Sequence, residues 1–217
     1  ITQGGRAREF GKIKNIIIES INKLGKNLPL TPISIILLVE LIEQEKEIPA
    51  SLVELYQKYL ELVLGNIDSK KGLQVLFDYP IKEKFLSTLA FEEFYEKNRL
   101  DIPNKDFLAF INDYESKFRS LGNTDQFVGE LKRSQILSIN HNVMFQHRSF
   151  LEYFVGLYIN KNRDSDKFGK INNYLVNLYF SGRWSEATLY YIGLNQELKK
   201  EFLDKLFQYS NDSPEFS

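Results

Sequence analysis

The chain contains no cysteine. Disulfides, zinc–thiolate sites and a cysteine nucleophile are therefore excluded. The absence fits a reducing compartment, and a cytoplasmic location is the expectation. His141 and His147 are the two histidines, too few for a His-rich metal site. Long hydrophobic runs are missing as well. The longest uncharged apolar stretch, 33–39, falls far short of the about 20 residues a membrane-spanning helix needs. The first residues do not form a signal peptide. An excess of charge is also absent: 28 Lys+Arg stand against 29 Asp+Glu, so no global field draws nucleic acid or an anionic membrane surface. The chain opens at Ile1 rather than methionine and reads as part of something longer.

What is present is material for a core. Of 217 residues, 43% are hydrophobic, enough for one large domain or two small ones. Helical spacing dominates. Phe10, Ile13, Ile17, Ile21 and Leu24 recur every three or four residues and predict an amphipathic helix over about 8–25. Leu28-Pro29-Leu30-Thr31-Pro32 is extended, because a residue before proline is pushed out of the α region. Thr31 suits an N-cap and Pro32 a first helical turn, so a second helix is expected over 32–46, with its apolar first half buried. Ser51 and Glu54 have capping-box spacing and open a third helix, which Gly65 ends. Further helices are expected over 80–98, 103–119 and 124–134.

The pattern then changes. Ile136-Leu137-Ser138-Ile139 and Val143-Met144-Phe145 are short, β-prone runs on either side of Asn140-His141-Asn142, which is turn chemistry. They predict one β-hairpin, with a helix starting near Arg148 or Ser149 and running to about 160. Helices followed by a hairpin suggest a winged-helix unit. The expected fold class is mainly α: a helical bundle over 1–66, a winged-helix domain over 73–160 and a C-terminal helical segment over 161–217. The polar stretch 66–72 is the expected boundary, and the tail 210–217 is expected to fray.

Catalytic motifs fail on spacing. Gly5 to Lys12 is the nearest approach to a phosphate-binding loop. It places five residues between its glycines instead of four, and Ile13 stands where a magnesium-ligating hydroxyl is required. Ser149 and His147 are sequence neighbours without an evident orienting acid, so they make no triad. Glu92, Glu93 and Glu152 are expected on solvated helix faces. The chain alone is expected to be no enzyme, with no catalytic residue and no metal site.

The most informative segment runs from Phe145 through Gln146, His147, Arg148, Ser149, Phe150, Leu151, Glu152 and Tyr153 to Phe154. On chemistry alone it is a strand entering an amphipathic helix. Phe150, Phe154, Leu157 and Tyr158 form its core face, and His147 caps or bonds backbone at the junction.

The same segment resembles the winged-helix domain of NACHT proteins, within the STAND class of signalling ATPases. There a strand ending Phe-x-His leads into Ser-Phe-x-Glu-Tyr/Phe-Phe, matched in order by Phe145, His147, Ser149, Phe150, Glu152, Tyr153 and Phe154. The stretches 28–35 and 48–56 resemble the proline motif and the following helix of the first helical domain. The stretch 184–194 resembles the Trp-containing helix behind the winged helix. The resemblance thus covers about 28–195 and lacks the ATP-hydrolysing core. It implies that Pro32 lies against the adenine of a nucleotide and that His147 contacts the β-phosphate of ADP in a closed resting state. ATP and an upstream trigger would then swing the winged helix away. The implied cofactor is ATP or ADP, held with a core that lies elsewhere in the molecule. The implied partners are that NTPase core, a protein trigger or effector and, on activation, further copies of the chain. A role in prokaryotic antiviral defence is the expectation.

Two other classes remain open. A winged-helix nucleic-acid binder would use Lys132, Arg133 and Arg148 on phosphates, although Asp125 and Glu130 flank its recognition helix. A helical adaptor would use Tyr190, Tyr191, Phe202 and Phe207, residues expected instead to be core.

Overall fold

A computed structural model describes residues 31–44, 46–66, 76–119, 121–195 and 199–212, together with Asn15 and Ile18. Most of the helix expected over 8–25, the stretch from Gly5 to Ile13, most of the polar boundary and residues 213–217 lie outside the described residues. The chain divides into two compact units, Ile1–Lys71 and Gly72–Ser217. The segments 73–160 and 161–217 thus fall within one unit.

In the first unit, α1 (Pro32–Glu43) begins as its sequence requires. Thr31 Oγ1 accepts from the Ser34 N–H at 3.3 Å, and Ser34 Oγ accepts from the Thr31 N–H at 2.9 Å. Two orphan donors are satisfied reciprocally, and Pro32 takes the first position, where its missing N–H costs nothing. One face of α1, with Ser34, Leu37, Leu38 and Leu41, is buried. Ile35 and Ile36 lie on the other face and are exposed, against the expectation of a buried first half. A 3.6-residue period cannot turn every position of an apolar run inward onto one neighbour. The helix packs on α2 (Leu52–Glu61), which continues as a π-helical turn, Leu62–Asn66. Ser51 caps α2 through the Glu54 N–H at 3.2 Å. The Glu54 carboxylate accepts from the Ala50 N–H at 2.6 Å, and chiefly for that reason its pKa is lowered.

The second unit is built from α3 (Tyr79–Leu89, continuing as a π-helical turn Ala90–Tyr95), β1 (Ile102–Pro103), α4 (Asn104–Phe118), α5 (Thr124–Ser134), β2 (Leu137–Ile139), β3 (Asn142–Phe145) and α6 (Arg148–Lys161). A 3-10 turn, Asp166–Phe168, leads to α7 (Ile171–Phe180), α8 (Ser185–Leu194) and α9 (Lys199–Asp212). Helical content dominates, as the sequence predicts, and the hairpin is present with Leu137 opposite Phe145 and Ile139 opposite Val143.

A third strand joins it. β1 pairs antiparallel with β3, Ile102 opposite Val143, giving the order β1-β3-β2. Its two residues are too few to show alternation, and Pro103 argues against a strand except at an edge, which is where it lies. A helix, an edge strand, two helices and a two-stranded wing follow one another, a winged-helix-like arrangement.

Phe85 centres the aromatic core, with ring centroids 4.9 Å from Phe127, 5.1 Å from Tyr114 and 5.6 Å from Phe110. Against the same helices lies a buried ion pair, Lys82 Nζ to Glu130 Oε2 at 2.7 Å. Glu130 Oε1 also accepts the Leu76 N–H at 2.8 Å.

Candidate functional site

The segment from β3 into α6 carries the sequence-predicted site. Val143 and Phe145 alternate inward along β3 while Met144 points out, so the chain reaches the sheet end with Phe145 packed on Phe94 and Phe154. Helix α6 is then buried on every side from Phe150 to Leu157. That is more than the single core face expected. A helix apolar all round belongs at the centre of a fold, and α6 packs most extensively on α8, with α3 on another side.

Gly156 makes this closeness possible. A Cβ placed there would stand 2.6 Å from the Ala187 carbonyl oxygen and 3.1 Å from Tyr191 N. Even a methyl group there would have to push the two backbones apart.

His147 is the N-cap of α6, in extended conformation and exposed. Its Nδ1 accepts from the Ser149 N–H at 3.2 Å and lies 2.5 Å from Ser149 Oγ. The cap therefore uses the lone pair of Nδ1. In the neutral ring the proton then sits on Nε2, which has no partner among the described residues. The imidazole is fixed at one nitrogen and offers a donor at the other. Capping a helix and donating to an outside acceptor are compatible uses of this ring.

Arg148, the next residue, is engaged within the fold. Its Nε donates to Glu152 Oε1 at 2.6 Å, its Nη2 donates to the Arg183 carbonyl, and its guanidinium stands 5.6 Å from the Trp184 ring centroid. Glu152 is buried, not on a solvated face as expected. Burial raises its pKa, and the hydrogen bond and charge of Arg148 oppose that rise. Glu93 also corrects the expectation of a solvated acid. It is buried between Lys97 at 2.5 Å and Arg99 at 3.1 Å. Glu130, expected to flank a recognition helix as a repelling charge, is instead paired with Lys82 inside the fold. Lys132 and Arg133 on α5 are exposed, as is Asp125 on the same helix.

Pro32 is exposed at the start of α1. It belongs to the first unit and His147 to the second. Of the aromatics considered for an adaptor surface, Tyr190, Tyr191 and Phe202 are core. Phe207 is 68% exposed, because α9 packs on α7 along its other face. Among the described residues there is no group of three or more His, Cys, Asp or Glu arranged to hold a metal. No helix there is long and apolar enough to cross a membrane.

Sequence reasoning missed three features of this site: the Arg148–Glu152–Arg183 contacts, the buried position of Trp184 above them, and Gly156. The i,i+4 spacing of Arg148 and Glu152 was visible. The 35-residue reach to Arg183 was not.

A family model described as Novel STAND NTPase 4 matches residues 101–155, from the edge strand β1 to the middle of α6. The match supports a relationship to STAND NTPases over the segment that contains His147. It does not extend to Pro32 or Trp184. No curated protein and no solved structure matches the chain.

Proposed function

We propose that this chain is the regulatory switch region of a NACHT-type STAND signalling ATPase, acting with an ATP-binding core carried elsewhere in the same protein. The observation that carries the reading is the arrangement of His147. It sits at the end of a winged-helix-like unit, inside the segment that resembles STAND NTPases, with Nδ1 committed to the Ser149 N–H and Nε2 presented outward. An imidazole held this way suits a phosphate oxygen, since a hydrogen bond to a charged acceptor contributes roughly 1.5–3 kcal/mol. Pro32 offers an exposed, rigid apolar ring of the kind that covers an adenine.

In this reading the core holds ADP, and the contact of His147 with its phosphate stabilises a closed state. The nucleotide supplies the charge that His147 reads. Release of that contact biases a bistable arrangement of domains toward the open form. The region performs no catalysis itself. Its partners are the NTPase core, a protein trigger or effector and, once open, further copies of the chain. Antiviral defence in a prokaryotic cell is the setting we infer from the resemblance.

The test is to produce the chain together with the protein sequence that precedes it in its gene. The reading predicts a phosphate-binding loop and an acidic strand in that sequence, and ADP retained through purification. A preceding sequence without a nucleotide site, or a protein that purifies free of nucleotide and binds none, overturns it.

A further inference from the structure

We propose that Arg148 is a positioning residue that ties the capping geometry of His147 to the loop before α8, so that movement of the C-terminal helices is felt at the histidine. The regulatory meaning of this link rests on the phosphate-sensing reading of His147. The link itself does not.

The contacts form one chain of packed groups. Arg148 is the first residue of α6 and the direct neighbour of the N-cap. Its guanidinium uses three different recognition modes at once. It bonds the buried carboxylate of Glu152 four residues along the same helix, donates to the Arg183 carbonyl 35 residues away, and lies over the Trp184 ring. Gly182, with φ +70, turns the backbone just before that carbonyl. The Arg183 guanidinium stands 5.8 Å from the same indole, so the ring carries a cation partner from each segment.

Trp184 is buried and meets Tyr95 edge-on at 5.2 Å. The Tyr95 hydroxyl is bonded to the Tyr174 hydroxyl of α7 at 2.8 Å. A shift of α7 or α8 therefore displaces the Trp184 loop, and with it the carbonyl and ring that hold Arg148. The fork geometry of arginine matters here. A lysine retains the charge but cannot bond a carboxylate and a distant carbonyl while stacking on an indole.

The Ser149 amide proton reports directly on His147, because its hydrogen-bond acceptor is the imidazole Nδ1. Hydrogen exchange is therefore measured residue by residue on the 217-residue chain without nucleotide. The variants are Arg148→Lys and Trp184→Leu, with His147→Ala to calibrate the probe. Arg148→Lys is expected to speed Ser149 exchange by about ten- to a hundredfold, the loss of one charge-assisted hydrogen bond, and Trp184→Leu, by releasing the guanidinium from its support, to speed it in the same direction. Core amides such as those of Phe85 and Phe107 should keep wild-type protection. Combining the two substitutions should add little to either alone, because both break the same link.

Unchanged Ser149 exchange in Arg148→Lys, with the core still protected, overturns the proposal. So does an increase that is matched at every core amide, which would show general destabilisation. If Trp184→Leu does not fold, Arg148→Lys alone decides. No nucleotide enters this measurement, so its failure leaves the phosphate reading of His147 standing, and failure of that reading leaves the link standing.

Discussion

Lys82 and Glu130 oppose each other at 2.7 Å with both side chains nearly out of water. Removing one partner leaves an uncompensated charge in the core, which typically costs about 3–5 kcal/mol. Lys82→Met is expected to lower unfolding stability by that amount in urea titrations with an unchanged m-value. Adding Glu130→Gln should recover most of the loss, since glutamine is neutral and still accepts the Leu76 N–H. A double variant no better than Lys82→Met would show that the pair holds the helices by geometry and not by charge compensation. Glu152 gives a pH signature. Its pKa is raised above the ordinary 4.5, first by burial. The folded chain then binds that proton more tightly than the unfolded chain, so this group's contribution to stability falls as pH rises from about 4.5 through the folded pKa. The stability of wild type relative to Glu152→Gln should decline across that window and level off above it. Neither buried acid was legible from its neighbours in sequence. Glu130 depends on Lys82, 48 positions earlier, and Glu152, although its partner Arg148 is four residues back, is buried by the tertiary packing of α6. Local reading assigns an acid on a helix to solvent, and only tertiary contact can reverse that.

The individual helices were legible because spacing and caps agree. Thr31 with Pro32 and Ser51 with Glu54 mark starts that the structure confirms through side-chain-to-backbone bonds. Two elements resisted. The edge strand β1 is two residues long and half proline, and α6 is buried all round where an amphipathic stripe was expected. The reason for the second lies in Gly156 and α8. Gly156→Ala tests the close approach. Alanine is the better helix former by about 1 kcal/mol, yet its Cβ meets the Ala187 carbonyl oxygen at 2.6 Å. The packing penalty should win, with a net loss of about 1–3 kcal/mol. Each kcal/mol is expected to lower Tm by roughly 2–4 °C for a chain of this size. A melting temperature at or above wild type would mean that α6 and α8 can separate at little cost. Such freedom would count against α8 as a fixed support for the His147 junction.

At the scale of the molecule the chain is two units, with the proposed adenine-facing Pro32 in one and the proposed phosphate-facing His147 in the other. The candidate site was only half visible in the sequence. The order Phe145, His147, Ser149, Phe150, Glu152 marks the junction, but nothing local says which ring nitrogen is occupied or that Arg148 is committed elsewhere. The chain by itself should show no magnesium-dependent ATP turnover, because the stretch ending at Ile13 lacks the spacing and hydroxyl that phosphate binding requires.

The central claim is tested most directly by the ADP dissociation rate of the longer protein, compared between wild type, His147→Ala and Phe150→Ala. Loss of one bond to a charged phosphate should speed release by roughly ten- to a hundredfold in His147→Ala and raise trigger-independent signalling, with Tm lowered only by the few degrees that loss of a helix cap costs. Phe150→Ala should instead cost about 3–5 kcal/mol of fold stability through the cavity it leaves. A His147→Ala protein that melts early yet releases ADP at the wild-type rate would contradict the account and leave His147 as a helix cap alone.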